Sequence, residues 1–331
     1  MRWQRDDPQL ELFGPEQRDL PSVEYMAVNA RRIINTLPPS SRMPFRHTIN
    51  AYRGCRHACT YCFARPTHEY LGLNSGEDFE RRIVVKVNAV ERLERELDDP
   101  AWEGESIAMG TNTDPYQPAE GHYRLTRGLV QALGRHRNPF SILTKSSMIM
   151  RDIDVITEAA RRTQVGVAMS IGTDDDDVAR LTEPGAAPPS RRLEAIARLA
   201  EAGLRPTVLM APILPGISDA EEDVRRLVGS CLDAGAERVT PILLHLRPGV
   251  REHYIGWLEG VRPELVGLHE DAYRAGAYGT KDDRDRLAAI VRDEVGRRGG
   301  RATARAGGYR GGSGTAAGGR SRTRPRTHRE P

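Results

Sequence analysis

The chain of 331 residues lacks any apolar run that approaches membrane-spanning length. It has only four cysteines, too few in a chain this long for a disulfide scaffold. Its start, Met1-Arg-Trp-Gln-Arg-Asp-Asp, is polar throughout and lacks the basic-then-apolar pattern of a secretory signal. A cytoplasmic location is therefore expected, with no membrane partner. Lysine is nearly missing (Lys86, Lys145 and Lys281) while arginine is abundant, a bias of base composition rather than a surface shaped for nucleic acid. What is present, 38% hydrophobic and 29% charged residues, fits a globular protein of one large domain or two ordinary ones. The net charge of +3 conceals a split. From Arg297 to Pro331 ten arginines face the single Glu330, a balance of +9 that leaves −6 on residues 1–296.

Three of the four cysteines fall in Asn50-Ala-Tyr-Arg-Gly-Cys-Arg-His-Ala-Cys-Thr-Tyr-Cys-Phe-Ala-Arg65, as a C-x3-C-x2-C array of Cys55, Cys59 and Cys62. So short a loop can wrap three thiolates around one iron–sulfur cluster. A [4Fe–4S] cube has four irons, so three cysteines leave one corner open for a small molecule to chelate. Gly54 lets the chain turn tightly into the loop. With His57 or His68 as a fourth ligand, the same residues would make a Cys3His zinc site. Structural zinc usually needs a second short Cys/His clip, and none stands at a comparable spacing. The alternative from outside the enzymes is thus a zinc-stapled nucleic-acid-binding protein.

From Phe45 onward strands and helices alternate. Strands are expected at Thr48–Tyr52, Ser106–Gly110, Phe140–Thr144, Val165–Ile171, Thr207–Ile213 and Arg238–Leu244, short, rich in Val, Ile, Leu and Met and nearly continuous in apolarity, as parallel strands covered on both faces are. Helices are expected at Val84–Leu97, Arg124–Leu133, Ile153–Ala160, Arg192–Ala202 and Asp219–Ala234. Six such units make a partial (β/α)6 parallel-strand barrel, an α/β fold whose chemistry sits at the carboxyl ends of the strands. The segments following those ends are polar: the cysteine loop, Gly110–Glu120, Thr144–Ser147, Ser170–Asp177, Ala211–Asp219 and Leu244–Arg247. The division expected is an irregular N-terminal extension over 1–44, with one short helix near Val23–Ile34, then the barrel over 45–250. A helical extension over 251–296 and a disordered Arg/Gly-rich tail over 297–331 follow, the tail being a possible tether for nucleic acid.

The cysteine array, with Tyr61 just before its third cysteine, resembles the signature of the radical S-adenosylmethionine (SAM) superfamily. The wider phrase Thr48–Arg65 is similar to the branch of spore photoproduct lyases and their relatives. The resemblance implies a radical SAM barrel and a [4Fe–4S] cluster on Cys55, Cys59 and Cys62. It also implies an enzyme that cleaves SAM reductively to a 5′-deoxyadenosyl radical, which abstracts hydrogen from a substrate; a flavodoxin or ferredoxin would supply the electron. Thr111, Thr113 and Asp114 then lie where the methionine amino group is held, and Ser170 where the ribose or carboxylate is bonded. Lys145 would pair with the carboxylate, Gly216 belongs to the adenine-side turn and His245 flanks the adenine. Lesion repair of the photoproduct lyase kind would require a cysteine in the loop after the second strand, and Met109–Gln117 contains none.

Two further features read as structural. Asp174–Asp177 suit the start of a helix. Cys231, among Val224, Leu227 and Val228, reads as a buried apolar residue, so a single cluster is expected.

Overall fold

Strands with no polar face have to be covered on both sides, and that requirement sets the frame. The computed structural model of the chain describes residues 23–41 and 43–299. Its strands, in chain order, are β1 (Glu24–Val28), β2 (Ile34–Thr36), β3 (His47–Ile49), β4 (Tyr52–Arg53) and β5 (Arg82–Lys86). They continue as β6 (Ile107–Met109), β7 (Phe140–Thr144), β8 (Val165–Ser170), β9 (Thr207–Ile213) and β10 (Arg238–Leu243). β3, β6, β7, β8, β9 and β10 lie side by side in that order, all parallel. β2 adds an antiparallel edge to β3, with Ile34 opposite Ile49. The sheet runs open from β10 to β2, the partial (β/α)6 barrel expected. Five of the six parallel strands fall where the sequence places them; the stretch expected as one strand over Thr48–Tyr52 is β3, ending at Ile49, followed by β4, which pairs with β5 in a separate three-stranded sheet.

Two further expectations are corrected. The helix expected near Val23–Ile34 is instead β1 and β2, and the stretch expected as one helix over Val84–Leu97 begins as β5. Ile83, Val84 and Val85 are β-branched and pair with Tyr25, Met26 and Ala27 of β1, while β4 lies antiparallel on the other side of β5. Local periodicity cannot register a partner some 58 residues earlier in the chain.

The helices between the strands are α1 (Glu77–Arg81), α2 (Ala89–Leu97), α3 (Ala119–Tyr123), α4 (Leu125–Arg135), α5 (Ile153–Ala160), α6 (Asp176–Thr182), α7 (Pro189–Glu201) and α8 (Glu221–Asp233). α2 buries Ala89, Leu93 and Leu97, one residue per turn, which is the stripe a helix lays on a sheet. Asp175 caps α6 by accepting from the backbone N–H groups of Asp177 and Val178, so the acidic run serves a helix start. Cys231 is buried in α8 within the main core.

Beyond β10 come α9 (Val250–Val261), α10 (Val266–Ala272) and α11 (Lys281–Arg297). α11 buries Leu287, Ile290, Val291 and Val295 in the barrel core, each contributing about 1.5–3 kcal/mol relative to exposure. Ion pairs of Arg225 with Asp293 (2.6 Å) and Arg298 with Asp233 (3.1 Å) tie it to α8. α9 and α10 build a second apolar cluster, in which Leu246, Val250, Tyr254, Leu258 and Tyr273 pack with Cys59 and Tyr61. The helical extension therefore forms one wall of the cysteine loop. No helix among the described residues is long and apolar enough to cross a membrane. The N-terminal stretch 1–22 and the Arg/Gly-rich tail from residue 300 lie outside the described residues.

Candidate active site

The cysteine loop leaves β4 through Gly54, whose φ of +81° belongs to the left-handed region. A Cβ at this position would lie 2.8 Å from the Phe79 carbonyl oxygen, so the residue is glycine for two reasons. Cys55 N–H donates to that same carbonyl (2.9 Å), and successive turns follow, Ala58 N–H to Cys55 O (3.3 Å) and Cys62 N–H to Cys59 O (3.2 Å). Cys55 and Cys59 are buried, Cys62 is half-buried, and all three are free thiols. Burial pushes the Cys55 thiol well up from its ordinary pKa, and the charges of Asp114, Cys59 and Cys62 add to the rise. Burial likewise raises Cys59 and Cys62, with the Glu183 charge adding most to the rise at Cys59. The three sulfurs thus share one field. Among the described residues, however, no three Cys, His, Asp or Glu side chains converge as ligands of a single ion.

Three clamps hold the loop by its backbone. From one side Arg65, fully buried, donates through Nε (3.0 Å) and Nη2 (2.9 Å) to the Cys59 carbonyl, and through Nη2 to Ala58 O (3.3 Å). It also donates to Ser75 O and Gly76 O, pairs with Glu80 and sits 5.4 Å over the Phe79 ring. From the second strand end, Thr113 Oγ1 (2.6 Å) and Gln117 Nε2 (3.0 Å) donate to Gly54 O, while Arg56 N–H donates to Gln117 Oε1 (3.1 Å). From the far side, Thr60 N–H donates to Thr182 O (3.0 Å) and Gly185 N–H to His57 O (3.1 Å).

The remaining strand-end residues form a connected polar layer. Asp114 accepts from Thr144 Oγ1 (2.6 Å), Lys145 N–H (2.7 Å) and Tyr116 N–H (2.9 Å), and faces His57 Nδ1 at 3.4 Å. Thr111 Oγ1 meets Asn50 at 3.4 Å. Lys145 Nζ uses all three protons, on Ser170 Oγ (2.9 Å), Glu183 Oε1 (2.8 Å) and Ala211 O (2.9 Å), and Ser170 Oγ donates to Ala211 O (2.8 Å). Glu183, 5% exposed, also accepts from Tyr61 OH and from Arg192, whose Nη1 donates to Ser170 O (3.0 Å). Burial alone would raise the Glu183 carboxyl, but the charges of Arg192 and Lys145 outweigh it and hold the pKa at about 2. The Lys145 ammonium lies 5.5 Å from the Tyr61 ring centroid.

Cys55, Cys59, Cys62, Tyr61, Thr113, Asp114, Lys145 and Ser170 are thus joined through these bonds and charges. Thr111 adjoins them through Asn50. His245 stands at the end of β10, stacked on Tyr278 (4.4 Å), with burial lowering its pKa. Gly216 lies in the turn after β9, where a Cβ would press on Leu265 (3.0 Å) and its N–H donates to Asp219 (2.7 Å). Sequence reasoning assigned no role to Arg65, Gln117, Glu183 or Arg192. Glu183 closes α6, beyond the strand-end segment, and only the Pro184-Gly185 that follows it in the sequence marks a turn there. Gly185 has no room for a side chain, since a Cβ would fall 2.0 Å from the Arg56 carbonyl oxygen.

The model of the radical SAM superfamily matches residues 49–228. An uncharacterized protein of Mycobacterium tuberculosis (strain ATCC 25618 / H37Rv) is 44% identical over 256 residues, which cover 77% of this chain and 75% of the relative. One of Methanocaldococcus jannaschii is 27% identical over 199 residues, 60% of this chain and 71% of the relative. Among solved structures, a spore photoproduct lyase mutant with bound AdoMet and dinucleoside spore photoproduct superposes with a TM-score of 0.60 at 18% identity, covering 82% of this chain and 78% of that one. A cysteine loop that follows the first barrel strand by way of β4, an open six-stranded parallel barrel and a family match across more than half of the sequence lead to one conclusion: the chain belongs to the radical SAM superfamily and is an enzyme.

Proposed function

We propose that this enzyme cleaves SAM reductively at a [4Fe–4S] cluster anchored by Cys55, Cys59 and Cys62, and that the resulting radical abstracts hydrogen from a substrate. The observation that carries the reading is the seat of the three free thiols: one short loop, clamped on three sides, at the mouth of the barrel. The donor set suits a cube. Three cysteine thiols in one short loop are the ligand type that iron–sulfur clusters take. The remaining cysteine, Cys231, is buried in α8, which leaves one corner for a small ligand.

When bound, such a cluster supplies one electron to the SAM sulfonium, which splits to methionine and a 5′-deoxyadenosyl radical. The chain's own residues position and exclude. Lys145 is proposed to pair with the SAM carboxylate, giving up one of the three bonds that its ammonium makes to Ser170, Glu183 and Ala211. Tyr61, fixed by Glu183, presents its ring to the same space. Thr113 and Asp114 act through the frame, one bonding the cysteine loop and the other the Lys145 backbone. The α9–α10 wall keeps water from Cys59. A flavodoxin or ferredoxin is the proposed electron donor, and the enzyme is proposed to carry a single cluster.

Lesion repair in the lyase manner is the alternative that Met109–Gln117 supports less, since that loop offers no cysteine; of the tyrosines that could relay hydrogen in its place, Tyr116 is enclosed in the core and Tyr123 packs at its edge. The test is 5′-deoxyadenosine formation from SAM and dithionite by anaerobically reconstituted enzyme. Activity is expected in the wild type and lost in Cys59→Ala. Full cleavage by that variant would overturn the assignment.

A further inference from the structure

Two buried charges of opposite sign grip the cysteine loop from opposite ends of its bonding scheme, Arg65 on one side and Glu183 on the other. Arg65, with no exposed surface, delivers two donors to the carbonyl of Cys59 and one to Ala58. Its carboxylate partner, Glu80, is 29% exposed, so water screens that end while the guanidinium itself stays dry. Glu183 receives the hydroxyl of Tyr61, the residue between Cys59 and Cys62, and its own segment bonds the loop backbone at Thr60 and His57. A buried guanidinium and a buried carboxylate are each costly to hold unless fully bonded, and both are.

We infer that Arg65 and Glu183 are positioning residues that set the reduction potential of the cluster, Arg65 drawing it up and Glu183 holding it down. The inference rests on the cluster reading proposed above. One-electron reduction adds a negative charge to whatever the thiolates hold. A fixed cation bonded to the Cys59 backbone stabilises that added charge, and a fixed anion bonded to Tyr61 opposes it. Neither effect is screened as a surface charge would be, because both groups lie in a medium of low effective dielectric constant. The two residues also do structural work, but a purely structural role predicts the same consequence for either loss, a looser loop. An electrostatic role predicts consequences of opposite sign.

The experiment is a reductive titration of anaerobic holoenzyme, followed by the spectrum of the cluster, in wild type, Arg65→Gln, Arg65→Lys and Glu183→Gln. R65Q is expected to lower the midpoint potential by a tenfold or greater shift in the reduction equilibrium, about 59 mV for a one-electron couple. E183Q is expected to raise it by a similar factor, and R65K, which keeps the charge but loses the fork, to stay near wild type. If R65Q retains no cluster while R65K retains one at the wild-type potential, the charge requirement stands. If neither Arg65 variant retains a cluster, E183Q decides alone: an upward shift supports the inference and no shift overturns it. Unmoved potentials, or shifts of the same sign in R65Q and E183Q, overturn it. A wild type that takes up no iron and sulfide defeats instead the cluster reading on which the inference rests.

Discussion

Gly185→Ala probes how the cysteine loop is seated. The φ of Gly185 is not left-handed, so alanine meets no backbone strain there, and the objection is purely steric. An added Cβ would lie 2.0 Å from the Arg56 carbonyl oxygen and 3.2 Å from the His57 Cα. Ordinary carbon–oxygen contacts begin near about 3.3 Å, so the two backbones have to part by more than ~1 Å. Arg56 and His57 stand between Cys55 and Cys59, and the parting also breaks the hydrogen bond from Gly185 N–H to His57 O (3.1 Å). Overpacking of this kind costs about 1–3 kcal/mol, and the lost bond about 0.5–1.5 kcal/mol more. The sum, roughly 2–4 kcal/mol, is a large part of a typical stability yet leaves the protein folded. Chemical denaturation of the metal-free protein reads the stability, and iron and sulfide content after anaerobic reconstitution reads the seat. G185A is expected to be less stable and to retain less cluster. Gly256→Ala, within α9 and with open space around it, serves as the control and is expected to gain about 0.5–1 kcal/mol. Wild-type stability and full cluster content in G185A would refute the account of the seat.

Acid sensitivity should report Glu183. Its folded-state pKa is depressed from 4.5 to about 2, so its contribution is present above pH 4.5 and fades as pH falls toward 2. At 1.36 kcal/mol per unit that is on the order of 3 kcal/mol, seen as a stability gap between wild type and E183Q at pH 7 that shrinks to less than half by pH 3 and closes only below about pH 2; a gap unchanged with pH contradicts it. The basic tail can be tested by truncation after Gly299, which spares Arg298 and its pairs with Asp233 and Glu294. If the tail tethers nucleic acid, the shortened protein loses salt-sensitive retention on it, and unchanged retention disposes of the idea. The substrate can be sought by incubating the enzyme with deuterated cell-extract fractions: the fraction that labels 5′-deoxyadenosine contains it, and no label from any fraction would count against hydrogen abstraction from a cell metabolite.

The barrel was legible because most of its strands are runs of buried, mainly apolar residues, such as Ile107–Met109 and Val165–Ser170, bounded by polar segments. β1 and β5 were not, because Tyr25–Ala27 and Ile83–Val85 become strands only by finding one another, and Ile83–Val85 runs straight into a helical stretch. The cysteines, Asp114, Lys145 and Ser170 declared themselves by type and by place after a strand. Arg65 and Glu183 did not. Arginine is common throughout this sequence, and a glutamate outside the strand-end segment gives no sign that three donors converge on it. Asp114 and Thr113 were found, but as presumed contacts to a co-substrate. Their bonds point inward, to Thr144, Lys145 and Gly54, a distinction that only the geometry of the neighbours can make.

The most direct measurement is the metal and sulfide content of protein purified without air, taken with its absorbance near about 400 nm, where protein-bound iron–sulfur centres absorb. A brown protein with about four irons and four sulfides per chain, its colour lost in Cys59→Ala, is the expected result. A colourless protein holding zinc, or one with about eight irons, would contradict the account.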